Sequence, residues 1–313
     1  MTYSRRSLAV LLLLAAGLSA SLVSAQPAAP VRVGSKIDTE GKLLGNMIVL
    51  VLEANGIRTD NRASLGNTKV MRGAITAGEI DIYPEYTGNG AFIFADESNP
   101  AWKNAKAGYE RVKALDYAKN KIVWLQPAPA NNTRAIAVRK DVAAAGKLKT
   151  LQDLSLWLAA GSAESRQFKL AASSEFVERS DALPAFQAAY GFKLKPEQLL
   201  MLAGGDTSVT ERAAAEKTSG VNASMAYGTD GAVQALGLVL LEDPKGVQPV
   251  YAPAPIIREQ ALLKNPKIPE VLAAVFSQLD APTLQALNAK IQLEGQDAKK
   301  VAADFLRAKK LLK

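Results

Sequence analysis

The chain has 313 residues, 48% of them hydrophobic, a formal charge of +8, and neither cysteine nor histidine. The lack of those two residue types excludes disulfides, thiol nucleophiles, thiolate metal sites and Ser-His-Asp, Cys-His or histidine–zinc chemistry. Carboxylate-pair or Ser-Lys catalysis survives in principle, so the composition favours binding over catalysis, with no cofactor and no metal expected. The basic residues are spread along the chain, gathering only near the end at Lys299, Lys300, Arg307, Lys309, Lys310 and Lys313. That pattern reads as a solvated helical face rather than the basic stripe with interleaved aromatics of a nucleic-acid binder, and no nucleic-acid partner is expected.

The first residues address the compartment. Arg5 and Arg6 precede an apolar stretch, 8–23, which closes on Val23-Ser24-Ala25 with small residues at the −3 and −1 positions. This is the layout of a secretory signal peptide, residues 1–25, cleaved after Ala25. Ala, Gly and Ser dilute the second half of the stretch, and no stop-transfer charge follows it, which argues against a membrane anchor. With no cysteine at the cleavage site there is no lipid anchor, and the mature chain is expected free in the periplasm as a monomer.

Beyond a Pro/Ala-rich leader at 26–30, a strand is read at 31–33, broken by Gly34-Ser35-Lys36. A helix follows at 40–54, rich in Leu, Ile and Val and closed by Gly56. Next come a strand at 57–63, a helix at 67–77 closed by Gly78, and a strand at 80–83 stopped by Pro84. This alternation is the signature of a parallel α/β sheet with crossover helices. A helix at 109–120 and a strand at 122–125 lead into the breaker-rich passage 126–130. A strand at 135–138 restarts the alternation. Helices at 151–158, 183–189 and 208–217 are interleaved with strands at 168–172, 199–202, 221–227 and 238–241. A second Pro/Gly-rich passage, 244–255, precedes three helices at 269–279, 282–293 and 297–312, the first two with proline near the first helical position. Two such passages flanking a middle block predict one lobe inserted in another: lobe I at 31–130, lobe II at 131–249, and a return to lobe I at 250–313.

Open α/β sheets bind ligands beyond the carboxyl ends of their strands. That rule selects Gly34-Ser35-Lys36, the 83–89 segment Tyr-Pro-Glu-Tyr-Thr-Gly-Asn, 131–134, 173–179, 227–230 and Tyr251. Aromatic faces hold a quaternary ammonium, which cannot donate hydrogen bonds, by cation–π attraction. A carboxylate needs cationic or hydroxyl donors. Tyr86, Tyr227 and Tyr251 are candidates for the first task, Lys36 and Arg179 for the second. Each has a plain alternative: Tyr227 as a core cap, Lys36 and Arg179 as surface ion pairs. Tyr83 and the three tryptophans, Trp102, Trp124 and Trp157, read as core. Asp81 and Glu85 read as a strand-end and loop hydrogen-bonding set. The Gly-containing 202–206 stretch is too short for a phosphate loop and lacks its lysine.

Taken together, these loops resemble the osmoprotectant-binding proteins of ABC transporters, the glycine betaine/choline group of the OsmF and ProX types. The stretches that carry the resemblance are Gly34-Ser35-Lys36 with Thr39-Glu40, the 78–88 run ending Tyr-Pro-Glu-Tyr-Thr-Gly, and Asn131-Asn132-Thr133. Glu175-Phe176 with Arg179, Tyr227-Gly228-Thr229-Asp230, Leu241-Glu242-Asp243 and Tyr251-Ala252-Pro253 complete it, across nearly the whole mature chain. The resemblance implies a two-lobed periplasmic binding fold of type II, with two crossover strands and hinge closure over a cleft. It also implies a partner inner-membrane ABC permease with its ATPase, and a small osmolyte as cargo. Carried over, the carboxylate contacts are Lys36 and Arg179 with Asn89. The aromatic cage draws on Tyr86, Tyr227 and Tyr251, with Asn132 and Thr229 beside it. One position departs from the group: Arg134 stands where an aromatic completes the cage. Either it turns away, or it recognises a second acidic group, which would make the solute anionic or amino-acid-like through Arg134 and Arg179.

Overall fold

The computed structural model describes residues 29–202 and 206–312. The signal-peptide reading of 1–25 lies outside the described residues. Two five-stranded sheets organise the chain. The first is built from β1 (Val31–Lys36), β2 (Thr59–Gly66), β3 (Ile82–Tyr86) and β4 (Ile122–Trp124). The second holds β5 (Arg134–Arg139), β6 (Leu170–Ser173), β7 (Leu199–Leu202), β8 (Ala223–Tyr227) and β9 (Leu238–Leu240). The chain then returns to the first sheet through β10 (Pro253–Arg258).

The orders are β2-β1-β3-β10-β4 and β7-β6-β8-β5-β9. Within the first sheet β1 runs parallel to β2 and β3, while β10 enters antiparallel between β3 and β4. In the second, β6 is parallel to β7 and β8, and β5 lies antiparallel between β8 and β9. Each sheet thus receives one antiparallel strand directly from a connection that passes between them, 125–133 outward and 241–252 back. The molecule is an α/β protein of two lobes.

Each sheet has its own core. In the helix Thr39–Ala54 the side chains of Leu43, Leu44, Met47, Ile48, Val51 and Leu52 fall on one helical face. They pack against Ile268, Leu272, Phe276, Leu284 and Leu306 of the C-terminal helices Ile268–Phe276, Ala281–Gln292 and Ala298–Ala308. The second core gathers Phe168, Phe176, Phe186, Leu154 and Leu183 around β5, β6 and β8. The Asp38 side chain starts the first helix by accepting from the Gly41 amide at 2.7 Å, which places the end of β1 and the first helical turn side by side at the sheet's carboxyl edge.

Several expectations need correction. Gly34-Ser35-Lys36 continues β1 rather than breaking it, because Lys36 still pairs with Gly66 of β2 after a register shift. Pro84 does not stop β3. It sits opposite Pro255 of β10, so the two missing backbone donors coincide at one rung of the ladder. The same two-proline rung hid β10 inside what reads as an irregular passage. Short helices at Asn89–Ile93, Lys140–Gly146, Ala163–Arg166, Ser174–Glu178 and Glu259–Lys264 were not anticipated. Each is one or two turns long, too short to show a helical period. Trp102 and Trp124 are buried, as is Tyr83, while Trp157 packs edge-on against Phe168.

Candidate functional site

A cavity lies between the lobes where the carboxyl ends of β1, β3 and β8 face the start of β5. Its lining includes Lys36, Tyr86, Asn89, Asn132, Arg134, Tyr227 and Tyr251, seven of the nine residues singled out from sequence. Strand ends deliver four of them: Lys36 closes β1, Tyr86 closes β3, Tyr227 closes β8 and Arg134 opens β5. Arg134 and Tyr227 are cross-strand partners, so their side chains share a rung. Tyr251 reaches in from the returning connection, its backbone carbonyl accepting from the Asn132 amide at 2.9 Å. Gly88 makes room for it: a Cβ there would lie 2.8 Å from Tyr251 Cδ1.

Arg179 and Thr229 stand one layer behind this lining. The Arg179 guanidinium donates to Asp181 at 2.8 and 2.6 Å and to Glu175 at 2.7 Å, and it stacks 4.2 Å from the Phe92 ring centroid. Thr229 donates to Glu40 at 2.6 Å. The lining also takes in Ile37, Asp38, Asn67 and Thr68, which no sequence pattern singled out, and Glu175, which the 173–179 crevice segment contained without a site role. Asp38 and Asn67 are the N-caps of the helices Thr39–Ala54 and Thr68–Thr76, which brings both to the rim of the cavity. Thr68 and Glu175 meet only because the lobes do, the Thr68 amide donating to Glu175 at 3.4 Å.

Arg134 points into the cavity. Its Nη1 donates to the Tyr251 hydroxyl and, at 3.4 Å, to Asp181, and Nη2 reaches Asn89 Oδ1 at 3.5 Å. Its guanidinium carbon lies 4.8 Å from the Tyr251 ring centroid. Lys36 behaves alike. Its ammonium is 2.5 Å from Glu85 Oε1 and 4.7 Å from the Tyr86 ring centroid. Glu85 is fully buried and is held by further donors from Tyr83 at 2.8 Å and Asn89 at 2.7 Å. Two aromatic faces of the cavity therefore already carry a cation of the protein itself.

Every cation of the cavity has a carboxylate partner. Lys36 is matched by Glu85, Arg179 by Glu175 and Asp181, and Arg134 by Asp181. Burial pushes the Asp181 carboxyl up, but the Arg134 charge and the Arg179 hydrogen bonds outweigh it and hold the group below the usual range. Glu175 is likewise held low, burial being outweighed by Arg179, Lys36 and Arg134. Burial raises the Tyr227 and Tyr251 hydroxyls well above the ordinary phenol value, so both stay neutral donors. The result is a cavity of about 40 Å³, room for roughly three waters. It has apolar rings and no unpaired cation, with the Asp38 carboxyl on its lining outside the ion pairs.

Behind it lies Glu40, buried at 5% exposure. One oxygen accepts from the Tyr86 hydroxyl at 2.9 Å and Asn132 Nδ2 at 3.0 Å. The other accepts from the Thr229 hydroxyl at 2.6 Å and Asn288 Nδ2 at 2.8 Å. Burial raises the Glu40 carboxyl to about 7, opposed by the bonds from Thr229, Asn288 and Tyr86.

Comparison with known proteins identifies the family. The family model described as the substrate binding domain of ABC-type glycine betaine transport systems matches residues 29–308. The chain is 63% identical over 292 residues to the glycine betaine-binding protein YehZ of Escherichia coli strain K12, covering 93% of this chain and 94% of that protein. It is 33% identical over 285 residues to a glycine-betaine-binding protein of Pseudomonas aeruginosa, covering 90% and 88%. Among solved structures, that of apo YehZ from Escherichia coli matches with 64% identity and a TM-score of 0.65, over 91% of this chain and 100% of that one. The chain belongs to the family of substrate-binding domains of ABC-type glycine betaine transport systems.

Proposed function

We propose that this protein binds a small quaternary-ammonium osmolyte of the glycine betaine or choline class between its lobes. It hands that cargo to an inner-membrane ABC permease driven by its ATPase. The observation that carries the reading is the convergence of Tyr86, Tyr227 and Tyr251 on one cavity whose cations are already paired. Tyrosine faces attract a cation that cannot donate hydrogen bonds. Hydroxyls, Asn89, Asn132 and the outer guanidinium edges offer donors to a carboxylate. The lobes that close are 31–130 with 250–313 against 131–249. The chain works in the periplasm as a monomer once residues 1–25 are removed. No helix among the described residues is long and apolar enough to cross a membrane.

A second reading takes the solute as anionic or amino-acid-like, bound through Arg134 and Arg179. Its support is that Arg134 lines the cavity. Against it stands the ion pairing: an added anion would find no unpaired cation, and burying it would cost several kcal/mol. A zwitterion such as glycine betaine brings its own compensation.

Arg134 also sets a condition on the first reading. It covers the face of Tyr251 that an ammonium would use, so it must withdraw before the solute is fully caged. The two readings separate by sign: Arg134→Ala strengthens binding of a quaternary amine and weakens binding of an anion. The direct test is thermal unfolding of the mature protein with glycine betaine, choline, carnitine and ergothioneine, since a ligand of the folded state raises its stability. A flat response across that set would sink the proposal.

A further inference from the structure

Glu40 meets donors from four separate segments. Tyr86 is on β3, Asn132 on the outward connection, Thr229 on the second lobe beyond β8, and Asn288 on the helix Ala281–Gln292 of the first lobe. The Thr229 segment is held further by a row of amides on the helix Ala281–Gln292. Gln285 donates to the Gly228 carbonyl at 2.9 Å, Asn288 to the Thr229 carbonyl at 3.0 Å, and Gln292 to Asp230 at 3.3 Å. Residues 285, 288 and 292 share one helix face, and they take three consecutive residues of the opposite lobe. Gly231 completes the fit: a Cβ there would collide with the Gln285 carbonyl. This is a clasp between lobes, and Glu40 lies in its middle.

Among the described residues no cation contacts Glu40. Lys36 is committed to Glu85. The charged neighbours on the packed elements are mostly acidic: Asp38 at the helix cap, Asp206, which accepts from Thr39 at 3.0 Å and lies 4.0 Å from Lys42, and Asp230 on the clasped segment with Glu211 behind it. Tyr86 is a neutral donor, and the helix Ala281–Gln292 presents the uncharged Asn288. Asn132 Oδ1 is buried without a donor. Turning that amide over would offer Oδ1 to a protonated Glu40.

We propose that Glu40 is a proton-linked latch: its neutral form belongs to the state in which the lobes touch, and its loss of a proton favours their separation. Separation takes Thr229 away and lets water reach the carboxylate. Contact removes the water and leaves a buried acid with no counter-ion, which disfavours the charged form. The sign follows from linkage. A carboxyl at about 7 in contact and at its ordinary value when hydrated takes up a proton on closure between those limits. The contribution is complete at acid pH and is lost as pH rises through about 7. Burial raises Asp230 in the same direction. Because the chain has no histidine, displaced carboxyls are the side chains left to titrate in that range.

The inference rests on the solute reading only for its ligand arm. Glycine betaine does not itself titrate between pH 5.5 and 8, and its affinity for the wild-type mature protein is expected to be about tenfold or more higher at pH 5.5 than at pH 8. Calorimetry in buffers of different ionisation enthalpy near pH 6.5 should show proton uptake on binding. Glu40→Gln, whose amide can donate to Asn132 Oδ1, should bind at pH 8 nearly as wild type does at pH 5.5. Without solute, small-angle scattering should give a smaller radius of gyration at pH 5.5 than at pH 8 for wild type, and one radius for Glu40→Gln. PH-independent scattering of the wild type, no proton uptake, or a variant that tracks wild type would overturn the latch. If glycine betaine binds at neither pH, the solute reading fails while the scattering still decides the latch. If Glu40→Gln does not fold, wild-type scattering and proton uptake decide it.

Discussion

The cavity and the clasp behind it are built from the same kinds of side chain but handle charge in opposite ways. In the cavity three carboxylates, Asp181, Glu175 and Glu85, have a guanidinium or ammonium against them, while Asp38 at the start of the first helix accepts from the Gly41 amide. In the clasp, Glu40 and Asp230 are met by amides and hydroxyls, Glu211 lies behind them with both carboxyl oxygens buried and unpartnered, and burial raises all three. Paired ions pin side-chain positions and hold their protonation across the neutral range. Unpaired buried acids make a contact answer to pH. Tyr86 belongs to both regions, its ring in the cavity and its hydroxyl on Glu40, so a change in one is felt in the other.

The comparison breaks most visibly if the cavity ions are not a unit. Asp181→Ala leaves Arg134 without its carboxylate and Arg179 with only Glu175. The expected loss is about 3–5 kcal/mol of unfolding free energy, measured by urea denaturation. A loss below about 1 kcal/mol would mean the charges are solvated rather than paired. Gly231→Ala drives a methyl group into the clasp while leaving the cavity lining intact. Overpacking of this kind costs about 1–3 kcal/mol, here charged to the closed form, so solute affinity should fall roughly tenfold with little change in the unfolding midpoint. Unchanged affinity would detach the clasp from binding. Arg134→Ala uncovers the Tyr251 face and should raise affinity for a quaternary amine by roughly fivefold, since a cation–π contact is worth about 1 kcal/mol. A fall instead would favour the anionic solute. Tyr86→Phe keeps the ring and removes one of four donors to Glu40. It should cost about 1 kcal/mol in stability and move the pH dependence of binding upward, because a less well solvated carboxylate holds its proton longer.

Much of the architecture was legible because it rests on local pattern. The Leu, Ile and Val run of 40–54 with Gly56 behind it reads as a helix, and the helix spans Thr39–Ala54; the strand-end rule points to Lys36, Tyr86 and Tyr227, which the structure brings to one cavity. β10 was not legible: Pro253 and Pro255 argue against a strand until Pro84 is seen facing Pro255. The role of Arg134 was half legible. Its sequence position marked a departure from the aromatic expected there, but its direction depends on Asp181 and Tyr251, 47 and 117 residues away. Glu40 was legible as a helix start and, beside Thr39, as part of the family resemblance, but not as a buried acid, because its partners come from positions 86, 132, 229 and 288. Burial of a charge is a tertiary fact, and no local pattern announces it.

Tyr227 offers the sharpest test of the central claim. Its ring lines the cavity and, among the described residues, carries no protein cation over its face, in contrast to Tyr86 and Tyr251. Titration calorimetry of glycine betaine into the mature protein and into Tyr227→Ala at pH 7 should show one saturable site in the first. The variant should bind about thirtyfold more weakly, the equivalent of about 2 kcal/mol for a desolvated cation–π contact. Equal affinity in the two proteins, or no saturable site in the wild type, would contradict the account.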